Sequence, residues 1–399
     1  MLSYEVIQKY CDVLLWGVKK ARGSRIKSGE PFLIRFDMSA FSIVEHLYIR
    51  LLKERLNPVL RLMPSPTMER SFFEIANLGQ LQFIPPGEKE LFSNLGGGIY
   101  ILAPESLTHL EGVDPKRIAT TLLARKALKN ILDRRENKRL FGWTLTLLPT
   151  QELANRAGTD IETYKDQVIK ACFLDEDDPV GKWEEIFGMA HEIKEWLNKM
   201  GILELEVESK NIQLRLPFGP TRRWVGISGH NIPSFELFYS PDWRYVEGRY
   251  FANLPSYRNG NYVEGVSVIF KEGKVIEASA KKGEPFLIGQ LDTDKGSRMV
   301  GEFSLTDKRF SRINRFMANT LYDENYGGEY GNCHLALGAS YLETYNGNKS
   351  RLDKRAQKKL GFNDSALHWD LINTEEKAVY AKLSDGSRKL IYEKGSFMY

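Results

Sequence analysis

The periodicity of the chain changes near Gly201, and that switch constrains the fold more than any other feature. Before it, short apolar runs alternate with stretches at helical spacing. FLIRF (32–36) reads as a buried strand. Residues 40–56 carry Ile43, Leu47, Leu51 and Leu52 on a helical stripe, and 58–63 reads as a second strand. Strand, helix, strand with short joints is a right-handed βαβ unit. Further strands are predicted over 98–103 and 140–148. Helices are predicted over 115–135, opened by Asp114 and Pro115, and over 179–200, where Val180, Trp183, Phe187, Ala190, Ile193 and Leu197 form one face. After Gly201, strands follow one another: ILELEVES, NIQLRLP, RWVGISG, FELFYS, GRYFA, YVEGVSVIF and KVIEASA, with Glu272 and Gly273 in a tight turn. The reading is an α+β protein. An N-terminal α/β domain over 1–200 carries a parallel or mixed sheet, and a mostly antiparallel β domain covers 201–399.

Several function classes fall away. Fifty-six basic against 52 acidic residues leave a net charge of +4, too small a balance for bulk nucleic-acid binding. The basic run 116–139 reads as a solvated helix face, and the basic segment 349–359 as a surface loop. No apolar run approaches the length of a membrane span. Residues 1–20 hold Glu5, Lys9 and Asp12 among spaced apolar positions, an amphipathic helix rather than a leader. Cys11, Cys172 and Cys333 lie far apart, with no C-x-x-C pair, so neither a zinc–thiolate site nor a disulfide framework is expected and a cytoplasmic location is. Gly96, Gly97 and Gly98 precede a strand, which is the wrong order for a phosphate-binding loop. His191 and Glu192 begin a near miss of H-E-x-x-H whose second histidine position holds Glu195. The acidic run 175–178 suits a helix N-terminus.

What remains is a set of polar residues in the second half. Of six histidines, His334 and His368 lie in the last 70 residues. In an extended segment His368 and Asp370 point to the same side, where an imidazole and a carboxylate can share a divalent cation. His334 follows Asp323, Glu324 and Asn325, and Tyr341 lies seven residues beyond it. Glu236 and Glu302 occupy strand contexts in which an unpaired carboxylate is costly to bury. The segments NIPSFELFYSP (231–241), EG (247–248), MVGEFSL (299–305), TLYDEN (320–325), CHLALGASY (333–341) and NDSALHWD (363–370) follow in that order, with looser matches in VDPKRIA (113–119) and PTQELANRAG (149–158). On these segments the chain resembles the aminopeptidase T and aminopeptidase S family of metallo-aminopeptidases.

The resemblance implies a two-metal site in the C-terminal domain. Its implied metal ligands are Glu236, Glu302, Glu324, His334, His368 and Asp370, with Glu302 and Tyr341 as catalytic partners. In the family the histidine follows the DEN glutamate by five residues. Here ten separate Glu324 from His334, because 326–330 are inserted, and Glu329 has the five-residue spacing. Motif context favours Glu324 and spacing favours Glu329. A glutamate-rich set with two histidines suits two zinc or cobalt ions, with magnesium or manganese as alternatives. Short peptides are the implied substrates and a homodimer the implied assembly. Two other readings compete: a metal-independent hydrolase using a carboxylate pair, such as a glycosidase, and a non-catalytic metal- or peptide-binding protein on the same fold.

Overall fold

Apolar runs flanked by turn residues build a five-stranded sheet, four of whose strands come from the first part of the chain. Its order is Asn57–Leu62, Pro31–Phe36, Gly97–Leu102, Gly142–Leu147 and Asn231–Ile232, and every pairing is parallel. Near-continuous burial along Pro31–Phe36 and Gly97–Leu102 is what a parallel sheet covered by helices requires. Leu14 of the helix Tyr4–Arg22, and Leu47 and Leu51 of the helix Phe41–Lys53, are buried with Ile34, Ile99 and Leu147. The helix Pro115–Asn137 begins where Asp114 accepts from the Lys116 amide. Its basic residues have structural work. Arg117 donates to the carbonyls of Phe73 and Ala76, and Arg135 to those of Ser93 and Leu95.

The computed structural model describes residues 2–219, 221–349 and 352–399. The chain forms two compact units, Met1–Phe187 with Ile227–Ser234, and Gly188–Gly226 with Phe235–Tyr399. In the second unit the strands pair antiparallel. Eight make one sheet, ordered Lys274–Ser279, Val266–Lys271, Glu247–Ala252, Gln213–Pro217, Ile202–Ser209, Lys377–Leu383, Arg388–Glu393 and Ser396–Phe397. Four make another, ordered His368–Asn373, Asn332–Gly338, Val300–Thr306 and Glu236–Tyr239. A short hairpin pairs Ser256–Arg258 with Asn261–Val263. A parallel sheet with helices, and antiparallel sheets after it, is the mixed α+β architecture that the change of periodicity predicts.

Two local expectations are corrected. RWVGISG (223–229) is not a strand; Val225 makes only an isolated bridge to Phe238. Gly226, Ile227 and Gly229 all have positive φ, which breaks the pleat. Within the basic segment 349–359, the piece Lys354–Lys359 is a short helix capped by Asp353; residues 350 and 351 lie outside the described residues. The turn at Glu272 and Gly273 is as the sequence predicts, with φ of 49° and 76°. The EG match at 247–248 serves this turn, because Glu247 Oε1 accepts from the Glu272 amide at 2.6 Å. Among the described residues no helix is long and apolar enough to cross a membrane.

Candidate metal centre

The four-stranded sheet has one apolar face and one acidic face, and strand alternation separates them. Register pairs Thr306 with Glu236, Ser304 with His334, Glu302 with Ala336, Ala336 with Asp370, and Gly338 with His368. Directly paired residues share a face. Glu236, Glu302, His334, His368 and Asp370 therefore project together, while Leu237, Phe303, Leu305, Leu335, Leu337 and Trp369 fill the core behind them. One irregularity lies just before Glu302. The ladder slips between Val300 and Glu302. The residue that absorbs the slip is Gly301, where a Cβ would lie 2.2 Å from the Ala339 carbonyl oxygen, so only glycine fits.

His334 stands at the middle of this face and is 1% exposed. Its Nε2 lies 3.1 Å from Glu302 Oε1, 3.2 Å from Glu236 Oε2 and 3.9 Å from Asp370 Oδ1. On the neighbouring strand, His368 Nε2 lies 3.3 Å from Asp370 Oδ1. The His368 Nδ1–H donates to the Ala339 carbonyl at 2.9 Å, which leaves the Nε2 lone pair aimed at the acidic group. Two sets of ligand atoms result, Glu236–Glu302–His334 and Glu302–His368–Asp370, each within 4.8 Å of one another. Glu302 belongs to both.

Glu324 approaches from outside the sheet. It ends the short helix Thr320–Asp323 and is buried. Its neighbours hold it there. Asp323 accepts from the amides of Met317 and Asn319 at 2.7 and 2.9 Å. Asn325 accepts from the Phe235 amide and donates to the Leu321 carbonyl, tying the loop to the strand that carries Glu236. Thr306 Oγ1 donates to the Glu324 carbonyl at 3.0 Å. Glu329 is exposed on the inserted loop, where its carbonyl accepts from Lys308 Nζ. That loop is pinned at both ends, by the Gly327 amide on the Ile313 carbonyl and by Asn332 Nδ2 on the Tyr326 carbonyl. The segment thus carries Glu329 at the surface. Tyr341 follows Gly338, whose φ of 107° lets the chain turn out of the strand. The Tyr341 ring stacks obliquely on His368, with centroids 4.7 Å apart.

The electrostatics call for a cation. Burial pushes Glu236 up to about 8, with Glu302 and Asp370 repelling it and only His334 and Ser304 easing it. Burial likewise raises Glu302 to about 8. Glu324 rises well above its ordinary value through burial and then repulsion from Glu236, Asp370 and Glu302. Burial would lower His368, but the Asp370 carboxylate outweighs it and raises it. Two polar atoms at the centre, Glu302 Oε2 and His334 Nδ1, are buried with no hydrogen-bond partner. Native interiors rarely leave such atoms unpaired. Carboxylates and imidazoles gathered around an unpaired Glu302 oxygen fit divalent cations, which would relieve the repulsion and engage that oxygen. Ser304 is a contributor the sequence reading missed: its Oγ donates to Glu236 Oε2 at 3.0 Å. Its position two residues after Glu302 on a strand was the available signal. The other near-miss motif stays apart, with His191, Glu192 and Glu195 exposed on the helix Pro179–Lys199.

Comparison with known proteins agrees with this chemistry. The family model described as thermophilic metalloprotease (M29) matches residues 4–397. Aminopeptidase 2 of Geobacillus stearothermophilus is 32% identical over 309 residues, covering 73% of each protein. Aminopeptidase T of Thermus aquaticus is 29% identical over 314 residues, 72% of this chain and 73% of its own length. In fold, the chain is similar to wild-type AmpT from Thermus thermophilus, with a TM-score of 0.78 and 21% identity over 98% of this chain and 99% of that one. A matching family over nearly the whole chain, together with a buried carboxylate–imidazole cluster, leads to one conclusion: the chain belongs to the M29 family of thermophilic metalloproteases and is a metal-dependent peptidase.

Proposed function

We propose that the protein is an aminopeptidase that hydrolyses the N-terminal peptide bond of short peptides with two divalent ions held by Glu236, Glu302, Glu324, His334, His368 and Asp370. The observation that carries this reading is the pair of ligand sets sharing Glu302. A shared carboxylate is the usual way for two cations to sit close together. The named relatives, all aminopeptidases, support the exopeptidase assignment. Mixed imidazole and carboxylate donors favour zinc or cobalt, with magnesium or manganese as the oxygen-seeking alternatives.

When bound, such ions supply Lewis acidity, polarising the scissile carbonyl and acidifying the attacking water. The protein's own groups do the rest. Glu302 holds a carboxylate at the centre of the cluster, where it can take the proton of the attacking water and pass it to the leaving amine. Tyr341 keeps its phenol protonated, since burial and the surrounding carboxylates raise it well above 10, and so its O–H is a donor for the developing oxyanion. The His368 Nδ1 hydrogen bond to Ala339 fixes that ring's orientation. A carboxylate-pair glycosidase would leave both histidines without a task.

The test is metal content together with activity. Protein purified without chelator is expected to carry about two divalent ions per chain. It should release the first residue of an aminoacyl amide, lose that activity to a chelator, and regain it with zinc or cobalt. Absence of metal with no activation on adding either ion would defeat the proposal. From the family resemblance we also propose a homodimer in the cytoplasm. Light scattering at micromolar concentration should give the mass of two chains, and a single-chain mass would count against the dimer.

A further inference from the structure

A buried arginine that no motif singles out ties down the segment that carries Tyr341. Tyr341 lies beyond the end of the strand Asn332–Gly338, so no ladder of the sheet fixes it. Three other segments hold its backbone instead. The Tyr341 amide donates to Ser240 Oγ at 2.9 Å. The preceding amide, of Ser340, donates to the Asn363 carbonyl at 3.0 Å. The turn that follows, Leu342–Thr344, is laid against residues 221–223. There the Arg223 amide donates to the Thr344 carbonyl at 2.8 Å, the Asn346 amide donates to the Thr221 carbonyl at 3.0 Å, and Arg222 makes a backbone bridge to Tyr345.

The Arg222 side chain joins these segments to one another. Its Nε donates to the Ser240 carbonyl at 2.6 Å and its Nη2 to the Leu360 carbonyl at 2.9 Å. Its guanidinium carbon lies 3.6 Å from the ring centroid of Phe362, the residue before Asn363. Arg222 is 4% exposed, and among the described residues none of its hydrogen-bond partners is a carboxylate. Asp242, two residues after Ser240, is taken by Arg244, which donates to both its oxygens at 2.8 and 2.6 Å. Burying a cation against neutral carbonyls is costly, and an apolar side chain of similar length would fill the same space. What the guanidinium adds is a rigid fork that holds two carbonyls at once and stacks on a ring. A hydrogen-bond donor to a developing oxyanion needs such support. It must be held within about 0.5 Å of its productive place, and a misplacement of about 1 Å can cost on the order of 10²-fold in rate.

We propose that Arg222 is a positioning residue for the reaction: by tying Ser240, residues 360–362 and Tyr345 together, it sets the Tyr341 hydroxyl where that hydroxyl donates to the oxyanion. This rests on the aminopeptidase reading, and on the role of Tyr341 within it, and deepens both.

The experiment is a double-mutant cycle between Arg222 and Tyr341, read on an aminoacyl amide with the metal-loaded enzyme. Arg222→Met keeps a stem over Phe362 and removes the donors. Its kcat is expected to fall about 10- to 100-fold, with KM and metal content near wild type. In the Tyr341→Phe background the same replacement should lower kcat by less than about threefold, because the hydroxyl it places is already gone. Arg222→Lys keeps the charge but not the fork. It should lose a smaller factor with the same dependence on Tyr341, and it carries the comparison if Arg222→Met does not fold. Equal losses with and without the Tyr341 hydroxyl, wild-type kcat in the Arg222 variants, or loss of their bound metal would overturn the role of Arg222 while leaving the aminopeptidase reading intact. A Tyr341→Phe enzyme with wild-type kcat would remove the oxyanion donor on which this inference rests. Failure of the wild-type enzyme to cleave the amide would overturn the aminopeptidase reading itself.

Discussion

Replacing Glu302 with glutamine is expected to lower kcat for an aminoacyl amide by on the order of 10³-fold or more and to remove bound metal. Glu302 is 3% exposed. Oε1 lies 3.1 Å from His334 Nε2, while Oε2 has no hydrogen-bond partner, and Glu302 belongs to both ligand sets. An amide keeps the shape but offers one neutral oxygen and an NH₂ group that cannot ligate a cation. Cation catalysis contributes several kcal/mol to such reactions, and about 1.4 kcal/mol corresponds to each tenfold in rate. The same change removes a buried carboxyl that repels its neighbouring carboxylates whenever it is ionised. The melting temperature of the metal-free protein should therefore hold or rise, while stabilisation by added metal should shrink. Elemental analysis, kinetics and thermal melts with and without metal check the three parts. Full metal occupancy with kcat within tenfold of wild type would rule out a shared-ligand role for Glu302.

Tyr341→Phe should behave in the opposite way toward metal. Phenylalanine preserves the ring's contact with His368 at 4.7 Å and with Phe238 at 5.9 Å, and the Tyr341 amide still donates to Ser240 Oγ. Only the hydroxyl is lost. If that hydroxyl donates to the oxyanion, kcat falls about 10²- to 10³-fold, roughly 3–4 kcal/mol, with KM and metal content little changed. His368→Ala makes a useful contrast, because loss of an imidazole ligand weakens metal binding and part of its activity should return at high metal concentration. A Tyr341→Phe enzyme with wild-type kcat and full metal would remove Tyr341 from the reaction.

Other parts of the molecule separate cleanly by what their physics depends on. Residues 31–36, 41–53, 57–62 and 97–102 were legible because each carries its own period and its own punctuation. Asp114 before Pro115 marks a helix start wherever the helix later packs. Where positive φ intervenes without a side-chain signal, as at Ile227, the same reasoning drew a strand that the backbone does not make.

The candidate site divides in the same way. That His368 and Asp370 share a face follows from alternation along one strand, which is local and readable from the sequence. So does the shared face of Glu302 and Ser304. Which strands lie side by side is not local. The pairing of Ser304 with His334, and of Ala336 with both Glu302 and Asp370, joins residues 30 to 34 positions apart. The closure of those long loops is decided by the summed burial of Leu237, Phe303, Leu335 and Trp369 behind the sheet. Counting residues could not separate Glu324 from Glu329. The two differ in burial: Asp323 and Asn325 hydrogen bonds hold the Glu324 segment inside, and the pinned loop exposes Glu329. The sequence alone determined the elements, their faces and the stock of ligating side chains, since these depend on period and residue chemistry. Register, the bulge at Gly301 and the meeting of distant loops were decided by tertiary structure, because they depend on contacts that no short stretch of chain contains.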